Sequence, residues 1–372
     1  MKKTVYRFLW VLVAALVLTA TIYPGPVRTS AADSGFRIDF IDVGQGDATL
    51  VRCDGHYMLV DGGKAKASAL IYSYLKNSGI KHLDYMVATH PDADHIGGLA
   101  GALNYATVDT AYCPVTSYDT KTFASLTKYL AKQNKSLTVP SAGDVFELGS
   151  AEVTVVGPIS VSTDDTNNSS IVLRIVYGKT SFLLTGDAEQ DEEREIIDSG
   201  AQIGSTVLKV GHHGSSSSTS YYFLREVAPE YAVISVGADN SYGHPTEQTL
   251  SRLRDADVKT YRTDMQGDII CTSDGKTVKF VTEKNADADT LADAGAGQKS
   301  SSTQATVVGE KQGTDSTDDT EETYVLNTNT HKFHRPDCSS VNTMSEKNKK
   351  IVTESREEII EEGYVPCKKC KP

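Results

Sequence analysis

Leu83-Asp84-Tyr85-Met86-Val87-Ala88-Thr89-His90-Pro91-Asp92-Ala93-Asp94-His95-Ile96-Gly97-Gly98 is the stretch on which the reading of this chain turns. An apolar strand runs into a loop carrying His90, Asp92, Asp94 and His95, and small residues follow. Imidazole and carboxylate groups crowded at the end of one strand converge without long-range assembly. Such groups bind a divalent metal and leave a position open for water. Beside a buried strand they would otherwise need ion partners, because burying unpaired charge is costly. Gly97 and Gly98 let the backbone pass close to the site.

Outward from this loop, strand patterns are expected at 36–43, 48–53, 57–60, 85–89, 152–156, 170–177, 181–185, 207–210, 231–236, 269–272 and 277–281. Helical patterns fall between them at 66–77, 122–133, 189–199, 221–227 and 246–255. Grouped strands with interleaved helices predict layered sheets covered by helices. Polar groups recur at the strand ends. Asp187 follows 181–185, His212 and His213 follow 207–210, and His244 sits in a Gly-His-Pro turn after 231–236. Adjacent residues point in different directions, so one of His212 and His213 is expected to face the site. The chain has no Gly-x-Ser-x-Gly elbow and no P-loop, which removes support for serine hydrolase and nucleotide kinase chemistry.

The segment His-x-Asp-x-Asp-His followed by Ile-Gly-Gly resembles the metal-binding motif of the metallo-β-lactamase fold, usually His-x-His-x-Asp-His, with Asp92 replacing the second His. More of the chain is similar to the hydrolase domain of ComEC-type competence proteins. The matching stretches are Phe40-Ile41-Asp42-Val43-Gly44-Gln45-Gly46-Asp47-Ala48, Leu59-Val60-Asp61-Gly62-Gly63, Asn167-Asn168-Ser169-Ser170, Leu184-Thr185-Gly186-Asp187, Leu208-Lys209-Val210-Gly211-His212-His213-Gly214-Ser215 and Tyr242-Gly243-His244-Pro245.

That resemblance implies an α+β fold, the αββα metallo-β-lactamase sandwich, holding two divalent ions. The extra carboxylate at Asp92 makes Mn²⁺ a rival to Zn²⁺. The implied ligands are His90, Asp92, Asp94, His95, Asp187 and His213, with Asp187 bridging two ions. Asp61, Asp47 and His212 are expected to orient the ligands. The candidate catalytic groups are Asp94, Lys209, His244 and Asn168. Asp94 takes or orients a proton, and Lys209 or His244 holds developing charge, His244 being alternatively the last metal ligand; which of His212, His213 and His244 bind metal stays open. Asn168 stands where many relatives place a metal-binding His, and its amide suits a phosphate or water. ComEC-type proteins carry this domain beside a transmembrane DNA channel; no integral membrane channel is expected here.

The chain carries a net charge of −12, so it has no general basic field for nucleic acid, and any contact with a polyanion needs a local patch or a metal. Four segments are expected. Residues 1–32 read as a signal peptide: Lys2, Lys3 and Arg7 precede an apolar run, and Thr29-Ser30-Ala31 or Ser30-Ala31-Ala32 fits a cleavage site. An uncleaved anchor is the alternative. Residues 36–283 form the hydrolase domain. Residues 284–322 contain no aromatic residue and read as a flexible acidic linker. Residues 323–372 form a small second module. Cys53, Cys113 and Cys271 lack ligand spacing and are expected to be buried as small apolar residues.

In the last segment, His334, Cys338, Cys367 and Cys370 have the spacing of a structural tetrahedral zinc site, with His331 as second choice to His334. About 50 residues are too few for stability on a core alone, so a metal staple is expected. Ser355-Arg356-Glu357-Glu358 reads as a capping box for a helix ending near Gly363. The module is similar to the zinc-binding domain of the Ada DNA-repair protein. That family has four cysteines and accepts a methyl group on the first, where this chain has His334, so methyl transfer is not expected. Lys347, Lys349, Lys350, Arg356, Lys368, Lys369 and Lys371 could contact DNA, although Glu346, Glu354, Glu357, Glu358, Glu361 and Glu362 counter them.

The expected function is a secreted metal-dependent hydrolase, a nuclease or phosphodiesterase acting on DNA or another phosphodiester through hydroxide activated by two metals. The alternatives are hydrolysis of lactones, thioesters or β-lactams, and a non-catalytic, metal-stabilised DNA-binding protein. The oligomeric state stays open.

Overall fold

The computed structural model describes residues 35–238, 240–292, 322–328, 332–336, 338–342, 344, 346–354, 359, 364–367 and 370. The expected signal peptide, most of the expected linker, His331, the 355–358 capping box, Lys368, Lys369, Lys371, Glu361 and Glu362 lie outside these residues.

Alternation along the strands sorts side chains into three apolar layers. In β1 (Phe36–Phe40), Phe36, Ile38 and Phe40 point to one side; in β2 (Thr49–Cys53) Val51 and Cys53 join them, and in β3 (His56–Val60) Met58 and Val60 do. Leu50 and Leu59 point the opposite way, toward helices Ser68–Ser78 and Lys121–Lys132, which bury Ile71, Leu75, Phe123, Leu126 and Leu130. β4 (His82–Val87), β5 (Thr107–Tyr112) and β6 (Leu137–Thr138) extend this sheet.

The second sheet is built from β7 (Val145–Leu148), β8 (Ala151–Gly157), β9 (Val172–Tyr177), β10 (Thr180–Leu184), β11 (Val207–Lys209), β12 (Tyr231–Ile234) and β13 (Lys259–Arg262). Its inner face supplies Val153, Val155, Leu173, Ile175, Phe182 and Val207 to the layer shared with β1 to β3. Its outer face packs Val172, Leu183 and Leu208 under helices Gln190–Asp198, Tyr221–Val227 and Glu247–Asp255. The latter two helices are opened by Ser220 and Thr246, whose side chains accept the Phe223 and Thr249 N–H groups. The chain then returns to the first sheet as β14 (Ile269–Ser273) and β15 (Val278–Thr282). The strand orders are β15-β14-β1-β2-β3-β4-β5-β6 and β13-β12-β11-β10-β9-β8-β7. Helices outside and two sheets inside make this the αββα sandwich that the motifs implied.

Strands β3 to β6 run parallel, as do β10 to β13. Within each parallel set the carboxyl ends therefore fall on one rim, and the loops that follow them can share a site. Cys53, Cys113 and Cys271 are buried, unbridged thiols. Among the described residues no helix is long and apolar enough to cross a membrane.

In the C-terminal segment, β16 (Glu322–Asn327), β17 (Lys332–His334), β18 (Lys349–Glu354) and β19 (Val365–Pro366) form a sheet in the order β18-β16-β17-β19. Tyr324, Leu326, Phe333, Val352 and Ile359 fill its small core.

Candidate metal centre

Asp61 follows β3 and is 1% exposed, with φ at 58°. Its carboxylate accepts the Thr89 N–H at 2.9 Å, the Thr89 hydroxyl at 2.7 Å and Nδ1–H of His95 at 2.8 Å. The proton held on Nδ1 leaves Nε2 of His95 as a bare lone pair. His213 is oriented in the same manner: its Nδ1–H donates to the Ser235 carbonyl at 2.9 Å. His90 has Nδ1 3.1 Å from the Thr89 hydroxyl and 3.4 Å from the Ser170 hydroxyl. His95 and His213 therefore turn Nε2 toward one space, and the His90 ring packs 4.1 Å from that of His95.

Asp187 follows β10 through Gly186, at φ 52°, and its N–H donates to Ser170 Oγ at 3.1 Å. One carboxylate oxygen lies 3.1 Å from Nε2 of His95 and 3.4 Å from Nε2 of His213, close approaches that lack hydrogen-bond geometry. Ligand atoms of Asp47, His95, Asp187 and His213 all lie within 4.8 Å of one another, and all four residues are buried. Nε2 of His90, His95 and His213, with Oδ1 of Asp47 and Asp187, have no hydrogen-bond partner. An orphaned buried polar atom costs about 1–3 kcal/mol, and a whole domain is stable by only about 5–15 kcal/mol. A divalent cation among the clustered Asp47, His95, Asp187 and His213 removes that cost, so the donor set fits a metal. Nitrogen and oxygen donors suit Zn²⁺ and Mn²⁺ alike.

The electrostatics of His90, His213 and Asp187 agree with ligation, whereas at His95 burial is outweighed by Asp187 and Asp61, which hold that imidazole well above the usual range until a cation takes the proton's place. Burial, then the neighbouring His95, pushes the His90 imidazole well below the usual range, and burial also lowers His213. Neutral imidazole is the ligating form. Burial alone would raise the Asp187 carboxyl, but His213 and His95 hold it well down. Lys209, 2% exposed, ends β11. Its ammonium pairs with Asp47 and donates to the Gly186 carbonyl at 3.1 Å.

Other expected residues are placed differently. Asp47, expected to orient ligands, stands inside the donor cluster. Its position is set by a tight passage: Gly46 has φ 140°, and a Cβ there would stand 2.3 Å from the Asp94 carbonyl. Asp94 is part-exposed, with Oδ2 3.9 Å from Nε2 of His213. Asp92 accepts the Thr166 hydroxyl at 2.8 Å. His212 is held by Glu189 at 2.8 Å and stands 3.8 Å from Asp187. His212 and His213 both have positive φ, 46° and 53°, a strained pair that diverts the two rings to different partners. His244 packs its ring 5.5 Å from that of His212, and burial lowers it to about 4. Asn168 turns its carboxamide elsewhere. Its oxygen accepts the Glu189 and Glu192 N–H groups at the start of helix Gln190–Asp198, and its nitrogen donates to Asp165 at 2.8 Å. That arrangement caps a helix, because the first turn has N–H groups that need acceptors.

Sequence reasoning missed Thr89, Ser170 and the Ser235 carbonyl, which orient donor residues, and Glu189, which holds His212. Thr89 and Ser170 lie inside the recognised stretches, but a hydroxyl and a carbonyl carry no spacing signature.

In the C-terminal segment, ligand atoms of His334, Cys338, Cys367 and Cys370 also lie within 4.8 Å of one another. Against the effect of burial, the His334 hydrogen bond brings the Cys338 thiol down to about 6, while burial pushes Cys370 up to about 11. Three thiols and an imidazole suit a tetrahedral zinc ion.

A family model described as the metallo-beta-lactamase superfamily matches residues 41–238. ComE operon protein 3 of Bacillus subtilis (strain 168) is 31% identical over 250 residues, covering 62% of this chain and 32% of that protein. Competence protein ComA of Neisseria gonorrhoeae is 34% identical over 228 residues, covering 61% of this chain and 30% of that protein. The matched region is thus about a third of the length of these curated relatives. Among solved structures, the metallo-beta-lactamase fold protein YhfI from Bacillus subtilis aligns with a TM-score of 0.42 at 14% identity, over 66% of this chain and 100% of that one.

Proposed function

The chain belongs to the metallo-beta-lactamase superfamily, and from that premise we propose that it is a metal-dependent phosphodiesterase acting on nucleic acid. The observation that carries the reading is the convergence of buried ligand atoms from Asp47, His95, Asp187 and His213 within 4.8 Å of one another, with the unpartnered His90 ring packed 4.1 Å from that of His95. The competence-protein relatives favour a nucleic acid as substrate.

In this reading His90, His95, His213, Asp47 and Asp187 hold one or two divalent ions, with Asp92 and Asp94 available at the edge. A bound ion supplies Lewis acidity and lowers the pKa of water toward neutrality. Asp61 fixes the His95 tautomer, and the Ser235 carbonyl fixes that of His213. Lys209 balances the carboxylates and orients Asp47. Asp94, part-exposed beside His213, would take the proton released as water attacks phosphorus, while the phosphorus–oxygen bond opposite breaks and the departing alkoxide takes a proton from solvent. His212, held by Glu189, and His244 stand where charge develops on the phosphate oxygens. Asn168 contributes by fixing the helix that carries Glu189.

The same reading divides the chain into a signal peptide at 1–32, a hydrolase domain at 36–283, a linker at 284–322 and a zinc-bound module at 323–372 that contacts DNA. It places the protein outside the cell. The test is hydrolysis of DNA and of a chromogenic phosphodiester with Mn²⁺, Zn²⁺ or Mg²⁺, comparing the wild type with Asp94→Ala and Asp187→Ala. Metal-dependent cleavage lost in both variants is expected. Failure to cleave any diester with metals loaded would overturn the reading and turn attention to lactones and β-lactams.

A further inference from the structure

Beside the donor cluster stands a side chain that the metal chemistry does not use. Tyr242 is 60% exposed, although an aromatic ring of that size gains most from burial. It is not loosely held. Its ring lies within 14° of parallel to the His244 imidazole, 5.7 Å between centroids, and His244 in turn meets His212. Asn240 braces the turn: its side-chain oxygen accepts the Tyr242 N–H at 3.2 Å and the His244 N–H at 3.0 Å, and its nitrogen donates to the His244 carbonyl at 2.7 Å. Lys64 Nζ stands 5.9 Å from the Tyr242 ring centroid. Lys66, exposed, reaches to 3.9 Å from where a Gly44 Cβ would sit. An aromatic plane with the Lys64 ammonium near it thus stands beside the donor cluster, and Lys66 adds an ammonium at the Gly44 turn that leads to Asp47, on a chain of net charge −12.

Exposed aromatic rings stack on nucleobases with little regard to sequence, and neighbouring lysines neutralise the backbone. A duplex keeps its base faces inside the stack, whereas a single strand presents them. We infer that the Tyr242–His244 stack is a base platform, that Lys64 and Lys66 hold the adjoining phosphates, and that the substrate is single-stranded nucleic acid. This inference rests on the phosphodiesterase reading and adds the substrate class to it.

The test uses the full metal-loaded chain. KM is measured for a single-stranded oligonucleotide, for the same sequence as a duplex, and for the same strand with abasic sites, in the wild type, Tyr242→Phe, Tyr242→Ala and the double variant Lys64→Ala/Lys66→Ala. Binding is followed separately by the quenching of 2-aminopurine placed in the single strand. The wild type should prefer the base-bearing single strand over both others. Tyr242→Ala should raise KM for that strand about tenfold, the loss of one stacked base, and erase its advantage over the abasic strand. Tyr242→Phe should keep the advantage. The lysine variant should weaken all three substrates and flatten the salt dependence. Equal KM for base-bearing and abasic strands, or an advantage that survives Tyr242→Ala, overturns the platform while leaving the phosphodiesterase reading in place. If no strand is cleaved, that reading falls first, and quenching decides the platform: loss in Tyr242→Ala supports it, and unchanged quenching overturns it.

Discussion

Asp61→Asn separates ligand orientation from fold stability. The two side chains have the same shape, but an amide must put an NH₂ where one carboxylate oxygen stood. At the Oδ1 place, it would oppose the Thr89 N–H, now bonded at 2.9 Å, and leave an orphan worth about 1–3 kcal/mol. At the Oδ2 place, the Thr89 hydroxyl can rotate to accept, and the amide donates to Nδ1 of His95, now 2.8 Å from that oxygen. The second choice keeps every hydrogen bond but drives the His95 proton onto Nε2, the atom facing Asp187. Metal binding must then expel the proton and break the new bond. The expected loss is about 10–100-fold in metal affinity, equivalent to roughly 1.4–2.7 kcal/mol. Folding should cost no more than about 1 kcal/mol, a few degrees in Tm. Competition against a chromogenic chelator measures the affinity, with Cys338→Ser present in both proteins so that the C-terminal cluster does not contribute. Affinity within threefold of the parent would refute the argument that Asp61 sets the tautomer.

Glu193 is buried and accepts the Thr219 and Ser220 N–H groups, yet burial raises it from 4.5 to about 7. Between these values the folded chain keeps a proton that the unfolded chain has released, so stability should fall as pH rises from about 4.5 to about 7, by at most about 1.4 kcal/mol per unit. Urea unfolding across that range should show the slope reduced in Glu193→Gln; an identical slope would show that another group is responsible. Gly98→Ala would place a Cβ 1.9 Å from the Gly62 carbonyl oxygen, and the overlap should cost about 3 kcal/mol; an unchanged melting temperature would contradict the packing of those two loops. Cys338→Ser should lose one equivalent of zinc by elemental analysis, and full retention would rule out a four-residue site.

The strands that could be read from sequence were those with dense apolar runs, such as Val-Leu-Arg-Ile-Val-Tyr in β9 and Thr-Ser-Phe-Leu-Leu in β10. β5 and β13, Thr-Val-Asp-Thr-Ala-Tyr and Lys-Thr-Tyr-Arg, escaped because their sheet positions are held by threonine, tyrosine and arginine, whose burial depends on distant partners. Arg262, for one, is buried against Asp264 and the Thr290 carbonyl. The short helix Leu99–Tyr105 escaped because Gly97, Gly98 and Gly101 read as loop. Gly101 is there for contact: a Cβ would lie 2.0 Å from the Ser68 carbonyl, where this helix crosses Ser68–Ser78. At the candidate site, the ligating residue types and their strand-end positions were visible in the chain. The placement of Asp47 among the donors was not, because it depends on the Lys209 ion pair and on the passage of Gly46 over Asp94. The role of Asn168 depends equally on a helix whose start it cannot announce alone.

β1 lies in the interior of its sheet, with β2 on one side and β14 on the other. Roughly 230 residues separate β1 from β14 along the chain. At a synthesis rate of about 5–20 residues per second, β1 waits on the order of 10–50 s for its second neighbour. Throughout that interval one edge of an apolar strand is open to other chains. Donors on the early loops, Asp47, His90 and His95, likewise precede Asp187 and His213 in synthesis. Metal loading is therefore a late event in the life of the polypeptide, and a cell making it must shield an unfinished sheet before there is any site to fill.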